Sequence, residues 1–86
     1  MPKTKLYQEI VDLCSQYISP DLISGIESHS DKSCDIFSKY GFASIYILAP
    51  SEINFYCHLD SSGEEAKELL QGIIIITALL RERGKL

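Results

Sequence analysis

Surplus positive charge is the first thing this chain of 86 residues lacks. Eight Lys and Arg stand against twelve Asp and Glu, for a net charge of −4. There is no electrostatic footprint for a nucleic acid or an anionic membrane surface. Long apolar runs are missing as well: the longest, Ile73 to Leu80 broken by Thr77, is less than half of the roughly 20 residues a membrane span needs. At the N-terminus, Glu9 and Asp12 interrupt the sequence before a signal-peptide apolar region can form. Three cysteines, Cys14, Cys34 and Cys57, are too few and odd in number for a disulfide-stapled secreted domain. These absences together point to the cytoplasm. Catalytic signatures are also missing. With only two histidines and no GxSxG, Walker loop, GxGxxG or HExxH, any triad or phosphate cradle would be an arbitrary choice.

The composition itself is ordinary, at 45% apolar and 23% charged residues, and predicts an ordered chain. Residues 1–86 are expected to form one domain. Charge is spread unevenly along it. Positions 21–68 hold Asp21, Glu27, Asp31, Asp35, Glu52, Asp60, Glu64, Glu65 and Glu68 against only Lys32, Lys39 and Lys67, whereas Arg81, Arg83 and Lys85 make the end basic. Complementary potentials of this kind steer association, with a second copy or with a basic partner. A solvated acidic surface that maintains solubility accounts for the same pattern.

Spacings of three and four among Leu6, Ile10, Leu13, Cys14, Tyr17 and Ile18 predict an amphipathic helix over about 4–18, with Thr4 as N-cap. Ser19-Pro20 ends it and can start a second short helix through Leu22, Ile23 and Ile26, weakened by Gly25. The stretch Glu27 to Ser33 has no periodicity and reads as a surface loop, and Cys34 to Ser38 fits either a strand or a helical turn. Two antiparallel strands are expected from Phe42 to Ala49 and from Ile53 to Leu59, joined by a turn at Pro50-Ser51-Glu52. In the second strand Ile53, Phe55, Cys57 and Leu59 alternate with Asn54, Tyr56 and His58, so the first set should face the core. The first strand is apolar on both sides, Ala43, Ile45 and Ile47 on one and Phe42, Tyr46 and Leu48 on the other. Such a strand is covered twice or forms part of an interface.

A long helix is expected from about Gly63 to Arg83. Ser62 and Glu65 fit a capping box, acids fill its first turn, Arg81 and Arg83 its last, and Gly84 is placed as a C-cap. Four consecutive isoleucines favour a strand over 72–77, but the signals at both ends outweigh them. The inward stripe is Ala66, Leu69, Leu70, Ile73, Ile76 and Leu80; Ile74, Ile75, Ala78 and Leu79 widen it past a one-sided face. A helix apolar nearly all round must be covered on both sides. The two preceding helices could flank it, or a second copy could supply the cover in a two-fold dimer.

His29, Cys34, Cys57 and His58 are the right ligand types for zinc but lack the spacings of a zinc site. Cys57 and His58, adjacent on a strand, point to opposite faces. Buried cysteine usually behaves as a small hydrophobe. No catalytic, cofactor or metal residues are assigned.

The expected fold is therefore α+β: an N-terminal helix, a second short helix, a two- or three-stranded antiparallel sheet and a long C-terminal helix packed on the sheet. The expected function is that of a small acidic, non-enzymatic interaction or regulatory protein, homodimeric through its C-terminal helix or sheet and able to bind another protein. Interface candidates are Phe42, Tyr46, Leu48, Tyr56, Ile74, Ile75, Ala78 and Leu79; the alternative is a thiol- or metal-dependent sensor using Cys34, Cys57 and His58.

Overall fold

A computed structural model describes residues 4–49 and 52–83. The elements run α1 (Lys5–Tyr17), a single 3₁₀ turn (Pro20–Leu22), β1 (Gly25–Ser30), β2 (Ser33–Ser38), β3 (Gly41–Ala49), β4 (Glu52–Leu59) and α2 (Glu64–Arg83). The chain is α+β, with one antiparallel sheet of order β1-β2-β3-β4. That is one or two strands more than the two or three expected.

Thr4 caps α1 as predicted, its Oγ1 accepting the Tyr7 N–H at 3.0 Å, which satisfies one of the otherwise unpaired donors of the first turn. The expected second helix is only the 3₁₀ turn, because Gly25 opens a strand. The stretch read as a loop is β1 and the turn into β2. Its serines, glutamate and histidine have little strand propensity, but pairing with β2 (Ile26 with Ile36, Glu27 with Asp35, Ser28 with Cys34) fixes the backbone. Tertiary pairing overrides propensity at such an edge. The turn is stitched by Ser30, whose Oγ accepts the Lys32 N–H at 3.1 Å, and by the Lys32 carbonyl, which accepts the Ile47 N–H at 2.8 Å.

Gly41 begins β3 with φ +144°. A Cβ there would lie 2.0 Å from the His58 carbonyl oxygen. Only glycine fits a left-handed backbone pressed against the neighbouring strand.

Both helices cover one side of the sheet. Ile36, Ala43, Ile45 and Ile53 are fully buried there against Leu6, Ile10, Leu13, Leu69, Ile73, Ile76 and Leu80, in a single apolar cluster. Phe55, Cys57 and Leu59 are half-buried against it, on the face the alternation assigned. Residues 72–77 are helix throughout, as the signals at the two ends of the segment imply, and not the strand that four isoleucines would favour. Just before the start of α2, Ser61 Oγ accepts the Gly63 N–H at 3.2 Å. The expected Gly84 cap and the Pro50-Ser51 part of the turn lie outside the described residues.

Three contacts fix α2. A Cβ on Gly72 would lie 2.3 Å from Ile18 Cγ1, so the end of α1 reaches the α2 backbone at this residue. Arg81 donates from Nε to the Ile53 carbonyl at 2.5 Å and from Nη2 to Asn54 Oδ1 at 2.9 Å, joining the end of α2 to β4. Arg83 pairs with Glu9 on α1. Among the described residues the one buried polar side chain, Thr77, is satisfied by donating to the Ile73 carbonyl at 2.8 Å. No helix among the described residues is long and apolar enough to cross a membrane.

Candidate functional site

A strand exposes alternate residues, and the register makes those of the uncovered sheet face into rows. Phe37, Phe42 and His58 form one row across β2, β3 and β4; Glu27, Asp35, Ser44 and Tyr56 form the next across all four strands; Ser33, Tyr46 and Asn54 follow. The Phe42 ring lies 5.9 Å from that of Tyr56 and 5.8 Å from that of His58, both tilted, within the range of favourable aromatic contact. Phe42 is 37% exposed, Tyr56 53% and Leu48 60%. Tyr46 is half-buried on the same face.

The acidic row is held in place. Ser44 Oγ donates to Asp35 Oδ1 at 2.7 Å, while Glu27 sits directly opposite Asp35. Two carboxylates facing each other on a ladder repel, so the pair favours a positive group approaching from solvent. His58 Nε2 lies 3.0 Å from Asp60 Oδ1 at the rim. The face can thus present an aromatic strip beside an acidic one. That pattern suits a polypeptide carrying apolar and basic side chains and opposes phosphate.

The helix candidates lie on the far side of the molecule. Ile74 is 47% and Ile75 41% exposed, and Ala78 is exposed beside them. Leu79 differs: it is half-buried against the core and does not belong to this patch. Because the second helix does not form, nothing in the described residues flanks the outer side of α2, and the arrangement with two covering helices is not the one observed. Two features were not foreseen. Phe37 joins the aromatic row; its alternation with Cys34 and Ile36 becomes informative once 34–38 is a strand. A shallow groove of about 250 Å³ between α1, the 3₁₀ turn and β1 is lined by Val11, Cys14, Ser15, Ile18, Pro20, Ile23 and Ile26.

Cys14 and Cys34 lie inside, and Cys57 is half-buried. Burial pushes Cys14 up to about 12, with the neighbouring Cys34 thiol adding to the effect; burial and then the Asp35 charge push Cys34 to about 12. Burial also raises Cys57. Thiols held neutral in this way are poor nucleophiles and poor metal ligands. Cys57 and His58 point to opposite sheet faces, and no three His, Cys, Asp or Glu among the described residues gather as a metal site.

Compared with protein-family models, with curated proteins and with solved structures, the chain matches none.

Proposed function

We propose that the protein is a small non-enzymatic interaction module, homodimeric, that binds another protein through its open sheet face. The carrying observation is the Phe42–Tyr56–His58 cluster, exposed on a sheet whose two helices both pack on the other side. Exposed aromatic groups rimmed by polar residues are typical of binding surfaces and dominate their energetics. The acidic row supplies orientation and selects a basic partner. Free thiols suit a reducing compartment, and the proposed setting is the cytoplasm.

The test is affinity capture from the native host with the intact chain and with the Phe42→Ser/Tyr56→Ser variant as parallel baits. Proteins held by the first and lost from the second support the reading. Identical captures, with both baits folded by circular dichroism, count against it.

A further inference from the structure

We infer that the second copy docks on the outer face of α2, antiparallel and about a two-fold axis between Ile74 and Ile75. This rests on the proposed homodimer and assigns its interface. Opposite the buried stripe, α2 exposes Glu64, Lys67, Gln71, Ile74, Ile75, Ala78 and Glu82. The apolar members sit at the middle of the twenty-residue helix, with Lys67 on one side of them and Glu82 on the other. An antiparallel copy centred at Ile74 and Ile75 sets each position against the one equally far from that centre. Ile74 meets the partner's Ile75, Gln71 meets the partner's Ala78, and Lys67 meets the partner's Glu82.

The charges match because the helix runs backwards in the partner; a parallel copy would set Lys67 against Lys67 and Glu82 against Glu82. Neither residue takes part in the ion pairs His58–Asp60 and Arg83–Glu9. Dimerisation by this route leaves the sheet faces on the two outer sides, free for the other protein.

The surface is modest. A helix about 30 Å long and about 10 Å across offers roughly 300 Å² of facing strip, well under the ~800 Å² per partner of a standard interface. The dimer is accordingly weak and concentration-dependent.

Sedimentation equilibrium up to about 1 mM, the range in which weak association shows, tests the assignment. The expected result is reversible growth from 9.7 kDa toward twice that mass. Ile74→Asp abolishes it while keeping the native circular dichroism and urea midpoint. Lys67→Glu and Glu82→Lys each weaken association about tenfold, since each dimer holds two such pairs, and the double variant restores it. A dimer indifferent to Ile74→Asp but lost with Phe42→Ser overturns the α2 assignment and leaves the homodimer standing. A monomer throughout the range overturns both, while sheet-face binding is judged separately by the capture experiment. Failure of the double variant to recover association overturns the antiparallel register.

Discussion

Strand β3 carries two apolar faces of similar composition that lie in opposite surroundings. Ala43 and Ile45 are fully buried, with Ile47 half-buried beside them, whereas Phe42 and Leu48 on the other side meet solvent. Hydrophobic character alone therefore does not separate core from surface here. What separates them is which side the helices take: on β3 the covered side carries the aliphatics Ala43, Ile45 and Ile47, and the bare side carries the rings of Phe42 and Tyr46 together with Leu48. Aliphatic side chains interdigitate to fill a dry core. Rings offer large contact area that stays useful when half wet.

The sharpest way to break this distinction is at Gly41, where the alternation of β3 begins. Gly41→Ala places a Cβ against the His58 carbonyl at a positive φ, and a loss of about 4 kcal/mol or outright failure to fold is expected in urea denaturation. Next, Ile45→Ala on the covered side costs about 2–5 kcal/mol, whereas Leu48→Ala on the bare side of the same strand stays within about 0.5 kcal/mol. Equal costs would mean the bare face is covered in solution. Third, the covered face is pH-sensitive through its thiols. Cys14 and Cys34 have native values raised from 9.0 to about 12, so their contribution is complete below pH 9 and is lost as pH rises toward 12, where the unfolded chain releases protons first. Urea midpoints followed across that window should fall less steeply in a Cys14→Ala/Cys34→Ala variant than in the parent. The smallest effect is kinetic labelling: a thiol reagent at pH 8 should modify half-buried Cys57 first, with Cys14 and Cys34 reacting only on unfolding.

Much of this architecture is legible in the residues. Helix α1, strands β3 and β4 and helix α2 follow from their periodicities, because each buries one regular set of side chains. Strand β1 was not legible: Glu27 to Ser30 bring almost no apolar surface of their own, and only the ladder to β2 gives them a conformation. With β1 missing, β2 stayed ambiguous and Phe37 had no place on the bare face. Of the interface candidates, Phe42, Tyr46, Leu48 and Tyr56 share the open face and Ile74, Ile75 and Ala78 share the outer side of α2. Leu79 was misplaced because helix spacing alone leaves the rim of the buried stripe undetermined.

The approach of Ile18 to Gly72 also bears on how the molecule is made. The hairpins of the sheet join neighbours in sequence, but α1, which also packs on β1 and β2, completes its seat against a helix synthesised after all four strands. Until α2 leaves the ribosome, the Ile36, Ala43, Ile45 and Ile53 side of the sheet has lost half of its cover. Completion of the fold is then a late, long-range step, the kind that slows folding and leaves intermediates prone to aggregate. A nascent chain halted before Gly72 should accordingly need chaperone protection that the finished chain does not.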